Sequence, residues 1–321
     1  MSENQDPRRL MTEDEARAAL AEYKERTGKS QNEIAKELGY SNATAVSRFN
    51  SGQYESPDEF IKKVMQLFKI TVQRDVAPKR PDFRMTSASR QVTNLITLCH
   101  VQGELGVAYG DPGVGKTMAV RQYKKDNSDA IVITVSPTKA TITGVCELIA
   151  DQLKIKDRTA RRITDEVISK LRGSKRVIIV DEAQHLKAKV VNHLRSIVDA
   201  TEDEDTGERI GMALIGNDEI YYELRVRQAV AYKQLDDRII HWTHLVANEI
   251  KLDDVKMIFS EAGFDSGTLE VLHKISTSVS IRKAVHVFTN ALILFGIKDY
   301  AELTIAKLAK VAKEMNIRVA L

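Results

Sequence analysis

Eight consecutive residues, Gly110-Asp111-Pro112-Gly113-Val114-Gly115-Lys116-Thr117, have the spacing G-x-x-x-x-G-K-[ST]. That pattern does phosphate chemistry. Glycines at 110, 113 and 115 let the backbone turn tightly and approach phosphate oxygens, which accept hydrogen bonds from successive N–H groups. The Lys116 ammonium can reach β- and γ-phosphates, and the Thr117 hydroxyl can ligate Mg²⁺. Met118 completes the candidate nucleotide-contacting run. The bland alternative is a purely structural glycine turn.

Phosphoryl transfer also needs a held metal and an oriented water. Arg176-Val-Ile-Ile-Val-Asp181-Glu182 offers two carboxylates at the end of an apolar, β-branched run. Asp181 is placed to hold Mg²⁺, and Glu182 to polarise the attacking water; two acids closing a core strand is the plainer reading. Asn217, after Ile210–Gly216, could hydrogen-bond the γ-phosphate or the water, or serve only as a turn asparagine. Arg238, just before a further apolar run, sits where an oligomeric ATPase presents an arginine finger to its neighbour; otherwise it is a surface arginine. Arg282, opening a helix after a serine-rich turn, could reach the nucleotide from a helical lid or stay solvated.

Elements that would position these groups can be read from apolar patterning. Runs near 104–109, 130–136, 176–181, 211–216 and 239–245 predict five strands. Several lack alternation, which indicates burial on both faces in a parallel sheet covered by helices. Ligand is then expected at the carboxyl ends of the strands. From about residue 249 the pattern turns helical. We therefore expect an α/β core over 91–248, a helical lid over 249–321 and a linker over 71–90. Val72–Arg84 carries two prolines and several charges, and Phe83 could stack on a base or act as a packing anchor.

Residues 1–70 predict a separate all-α module. Thr12 caps an acidic first helical turn, and Ser30-Gln-Asn-Glu33 is a capping box. Gly39-Tyr-Ser41 makes a turn before a second short helix over 42–49, the pattern of a helix-turn-helix. Asn42, Thr44, Ser47 and Arg48 would then face DNA, with Ala43, Val46 and Phe49 inward. A helix bundle for protein contacts is the alternative. The module's mixed charge predicts modest DNA affinity.

The 321 residues carry 48 basic and 45 acidic side chains, a net charge of +3, so whole-molecule charge makes no case for nucleic acid. The 2 cysteines, far apart, suggest neither a disulfide framework nor a cysteine metal cluster. The start lacks an apolar signal region and no run approaches a membrane span, so a cytoplasmic, membrane-free protein is expected.

With these residues in hand, the chain resembles the AAA+ transposition ATPases of the phage Mu B family, and is similar to target-selecting ATPases of Tn7-like elements. The resemblance rests on the front module, Gly110–Thr117, Thr134-Val-Ser-Pro137, Ile178–Leu186, Leu214–Asn217, Asp237-Arg238-Ile239 and the small helical lid. It implies an AAA+ P-loop NTPase core that uses ATP and Mg²⁺ and assembles as a helical filament on double-stranded DNA without much sequence preference. It further implies delivery of target DNA to a transposase, whose contact provokes hydrolysis. The resemblance assigns Lys116, Thr117, Asp181, Glu182, Asn217, Arg238 and Arg282 the roles given above, although Arg225 or Arg227 could supply the finger. DNA contacts would come from Lys139 and Thr143 and from Arg158, Arg161 and Arg162, with Lys187 and Lys189 weaker candidates; all of these could instead be solvated loop charges. Lys307, Lys310 and Lys313 could touch DNA or transposase. The acidic stretch 201–208 is a departure, since it would repel phosphate; it must face away from DNA or mark a contact with a basic partner. Rival readings are a helicase-loading or secretion-associated ATPase, and a helix-turn-helix regulator switched by nucleotide.

Overall fold

The computed structural model describes residues 11–76, 80–156, 159, 162–226, 239–297 and 299–318. The chain divides into two compact units, one ending at Pro78 and the other starting at Lys79.

In the first unit, four helices follow one another: α1 (Glu13–Thr27), α2 (Gln31–Glu37), α3 (Thr44–Asn50) and α4 (Pro57–Val76). Thr12 and Ser30 each accept from the N3 backbone N–H while the N3 glutamate returns to the cap, so both capping boxes form. The helix expected from residue 42 starts at Thr44, because the Asn42 side chain accepts from the Thr44 N–H at 3.0 Å and holds the preceding residues in a turn. Leu20, Ile34, Val46, Phe49, Phe60 and Val64 fill the core, with Phe49 stacked on Phe60 at 4.1 Å. α4 continues to Val76, past the boundary at 70 expected from composition. The next helix, α5 (Ser87–Gln102), starts inside the span read as linker, capped by Thr86.

The second unit is a five-stranded sheet of β1 (Leu105–Gly110), β2 (Ile131–Thr134), β3 (Val177–Asp181), β4 (Gly211–Ile215) and β5 (Ile239–Leu245), in the order β2-β3-β4-β1-β5. Every pairing is parallel. Although Val177–Val180 of β3 is apolar without interruption, its side chains alternate between two cores. Val177 and Ile179 join α5 and α6 (Lys116–Asp126) on one face. Ile178 and Val180 join α7 (Ile142–Leu153), α8 (Ile163–Leu171) and α9 (Ala188–Ala200) on the other. That is how a strand buried on both faces looks.

After β5 the chain is helical: α11 (Leu252–Ile258), α12 (Ser266–Ser278), α13 (Ile281–Leu294) and α14 (Ile305–Glu314), while a short α10 (Asp218–Tyr221) follows β4. Asp265, Ser280 and Thr304 cap α12, α13 and α14 through their side chains. Leu272, Phe288 and Leu308 from these helices share one apolar cluster with α5 and α6, so this C-terminal part packs onto the sheet's own core.

Candidate functional site

The glycine loop links the end of β1 to α6. Gly110 lies at φ +134°, and a side chain there would run into the Leu245 carbonyl, so β1 and β5 can approach closely only around glycine. The Asp111 N–H donates to that same carbonyl at 2.8 Å, and the Asp111 carboxylate accepts from the Ala247 N–H at 2.7 Å. Asp111 thus fastens the loop to the end of β5. Val114 is completely buried and anchors the loop in the apolar core. Gly113 and Gly115 have positive φ, and Gly115 leads directly into α6.

An open cleft of about 560 Å³ begins here, a size that suits a small organic ligand. Pro112 through Met118 line it, together with Asp181, Glu182, Asn217 and Arg282. The sheet register explains the convergence: Asp181 pairs with Thr134 of β2 and Ile215 of β4, so β3 and β4 end level and Asn217 follows two residues later. Asp181, Glu182 and Asn217, read from separate stretches of sequence, therefore sit together at the carboxyl ends of the strands, while Arg282 joins the cleft from a C-terminal helix.

Lys116 donates to the carbonyls of Gly110 and Asp111, both at 2.7 Å. Burial pushes its ammonium below the usual lysine value, against the opposing pull of Asp218, Asp111, Glu182 and Asp181. Burial likewise raises the Asp181 carboxyl, partly offset by hydrogen bonds from the Thr117 hydroxyl and the Glu182 N–H, the latter at 3.1 Å. A hydroxyl beside a buried carboxylate is a pair of hard oxygen donors, the chemistry Mg²⁺ selects, so the residues present fit that ion. Glu182 is held in the left-handed region (φ 58°, ψ 36°), which a side chain as large as glutamate seldom adopts. Asn217 accepts from the Glu219 N–H at 2.9 Å and so caps α10, which leaves its amide nitrogen as the arm available to a ligand.

Arg80, Pro81, Phe83, Ile258, Val285 and His286 also line the cleft, adding a mainly apolar surface with a cation among it. Phe83 was readable as a candidate. Arg80, Ile258 and His286 carry no motif and are found only through the fold. Burial first, then the positive charges of Arg80, Lys283 and Arg282, holds the His286 imidazole below its ordinary value. Arg282 is exposed, and its backbone N–H donates to the Gly113 carbonyl at 3.2 Å.

The remaining candidates lie elsewhere. Lys139 ion-pairs with Glu147 at 2.6 Å, and Thr143 is exposed in the first turn of α7. Arg162 is exposed at the start of α8, whereas Arg158, Arg161, Arg227 and Arg238 lie outside the described residues. Lys187 pairs with Glu223 at 3.4 Å. In the first unit Asn42, Thr44, Ser47 and Arg48 are exposed on one short stretch while Val46 and Phe49 are buried. Lys307 and Lys310 lie over the Phe295 ring, and Lys313 is exposed. Among the described residues no helix is long and apolar enough to cross a membrane.

A model of the AAA domain family matches residues 100–222. The ATP-dependent target DNA activator B of Escherichia phage Mu is 30% identical over 244 residues, covering 74% of this chain and 74% of the phage protein. The Mu-like prophage FluMu DNA transposition protein B of Haemophilus influenzae is 28% identical over 255 residues, covering 77% and 85%. Among solved structures, the Aeropyrum pernix ORC2 protein, determined as ADPNP–ADP complexes, aligns with a TM-score of 0.53 at 17% identity, over 74% of this chain and 70% of that one. At such identity the likeness concerns the fold alone: an AAA+ P-loop core.

Proposed function

The chain belongs to the family of phage Mu ATP-dependent target DNA activators B, and on that premise we propose that it is an ATPase that prepares target DNA for a transposase. The observation that carries the reading is the convergence of Lys116, Thr117, Asp181, Glu182, Asn217 and Arg282 on one cleft at the ends of parallel strands. ATP is the substrate: the apolar surface near Phe83 and Val285 suits the base, and the loop with Lys116 suits the phosphates. Mg²⁺, when held by Thr117 and Asp181, would neutralise charge on the β- and γ-phosphates.

The chain's own groups do the rest. Lys116 exchanges the loop carbonyls for phosphate oxygens, a stronger partner for an ammonium. Glu182 orients a water whose oxygen bonds to the γ-phosphorus while the bond to the bridging oxygen breaks. The electron pair leaves with ADP, and the proton of the water passes to the Glu182 carboxylate. Asn217 donates to the γ-phosphate or the water, and Arg238 of an adjacent protomer stabilises the developing charge.

On this reading ATP joins neighbouring protomers into a filament on double-stranded DNA, bound largely without sequence preference, and hydrolysis loosens it. Lys139, Thr143, Arg158, Arg161 and Arg162 are the proposed DNA contacts of the core. The small first unit, a helix-turn-helix module with Asn42, Thr44, Ser47 and Arg48 exposed, adds contacts to DNA or to the transposase. The protein works in the cytoplasm of the host cell.

The test is imaging and rate measurement together. With a non-hydrolysable ATP analogue, the protein should coat duplex DNA irrespective of sequence. Lys116→Ala should lose nucleotide binding and coating together, and Glu182→Gln should coat DNA persistently while hydrolysing ATP at least roughly a hundredfold more slowly. Bare DNA under every nucleotide condition would overturn the proposal.

A further inference from the structure

Gln184 lies between two of the groups named above, and no phosphate-loop or strand motif calls for it. β3 ends at Asp181; the left-handed Glu182 then turns the chain into a short 3₁₀ turn, Ala183–His185. From that turn the Gln184 side-chain NH₂ donates to the Glu182 carboxylate. Its carbonyl oxygen accepts from the Asn217 backbone N–H at 3.3 Å. A carboxylate only accepts and a backbone N–H only donates, so a single orientation of the amide satisfies both neighbours. The fit also depends on Gly216. A Cβ there would lie 2.9 Å from the Gln184 carbonyl oxygen and 3.0 Å from its backbone nitrogen, so a larger residue would push the amide aside. Asn217 is in turn fixed to α10 by the Glu219 N–H.

We propose that Gln184 is a positioning residue that couples Asn217 to Glu182, so that engagement of a γ-phosphate at Asn217 sets the direction of the Glu182 carboxylate. The inference rests on the ATPase reading of Glu182. One rigid, planar amide bonded at both ends cannot follow one neighbour without moving the other. No other residue type of this length has a donor and an acceptor on the same planar end: glutamate loses the donor, and methionine loses both arms. The expected signature is therefore a loss in the chemical step with nucleotide binding intact, because a misdirected base costs rate and not ground-state affinity.

The experiment uses the full chain with duplex DNA, measuring ATP turnover and the affinity for a fluorescent non-hydrolysable ATP analogue. Gln184→Met and the isosteric Gln184→Glu should each lower kcat by roughly tenfold or more, with analogue affinity within about twofold of the parent. In a Glu182→Gln background there is no carboxylate to direct, so adding Gln184→Met should change the residual rate by less than about twofold. Wild-type kcat in both single variants overturns the proposal. So does a parallel fall in kcat and affinity in both, the mark of a merely structural role, or a full tenfold loss that persists without the Glu182 carboxylate. If Glu182→Gln alone turns over at the wild-type rate, the parent reading of Glu182 fails, and the coupling falls with it by a separable route.

Discussion

The Arg282 backbone N–H donates to the Gly113 carbonyl at 3.2 Å, joining the first turn of a C-terminal helix to the middle of the phosphate loop. A Cβ on Gly113 would fall 2.9 Å from the Ser280 side chain and 3.1 Å from the Arg282 Cβ, with the backbone at φ +80°. At Gly115 the space is open and only the positive φ of +112° objects. Gly115→Ala should therefore cost about 1–2 kcal/mol of folding stability from the backbone alone. Gly113→Ala should cost more, because the helix start must also shift. Denaturant unfolding of the two variants checks the order, and equal losses would mean that the contact with Ser280 is slack.

Asp111 anchors the loop through the Ala247 N–H at 2.7 Å. Removing the carboxylate leaves a half-buried N–H without its acceptor, a loss of about 1–3 kcal/mol. Asp111→Ala should show that loss in chemical denaturation, whereas Asp111→Asn retains an acceptor oxygen and should recover most of it. Equal destabilisation by the two would assign the effect to charge instead of the hydrogen bond.

Two histidines give the second unit an acid sensitivity of known sign. Burial lowers the pKa of His193, and burial together with nearby cations lowers that of His286. A folded value below the unfolded one means that the folded state binds fewer protons between the two. Stability is then fully present above the ordinary histidine value of about 6.5 and declines as pH falls through the lowered folded values. The denaturation midpoint should drop between pH 7.5 and pH 5.5, and His286→Asn should flatten part of that drop. An unchanged slope in the variant would show that His286 stays hydrated in both states.

How much of this was legible beforehand follows from range along the chain. The strand positions were readable because β-branched runs such as Val177–Val180 must be buried somewhere, and burial on both faces implies a parallel sheet. Lys116, Thr117, Asp181 and Glu182 were readable because phosphate chemistry demands those types at those spacings. Arg80, Ile258 and His286 were not, since they belong to the cleft only through packing across nearly the whole second unit. Gln184 was hidden for another reason: its significance lies in hydrogen bonds to Glu182 and Asn217, which follow the ends of two different strands. The ends of α4 and α5 are hard to read from sequence for a local reason, because Pro78 and Pro81 dominate the composition there, whereas α4 runs on to Val76 and α5 already starts at Ser87.

The finger assignment can be tested without structural detail, because it concerns two different protomers. A Lys116→Ala protomer cannot hold ATP but still carries Arg238, and an Arg238→Ala protomer holds ATP but lacks the finger. Each variant alone should be nearly inactive with duplex DNA. Mixed in equal amounts, an intact loop meets an intact finger at about one interface in four, so turnover should recover towards about a quarter of the wild-type rate. The Lys116→Ala/Arg238→Ala double variant mixed with wild type serves as the dilution control, since it contributes neither part. Recovery depends on Arg238 acting across an interface: a finger acting within its own protomer would leave the mixture no more active than its two components summed. In that event Arg225 and Arg227 become the candidates to examine by the same mixing.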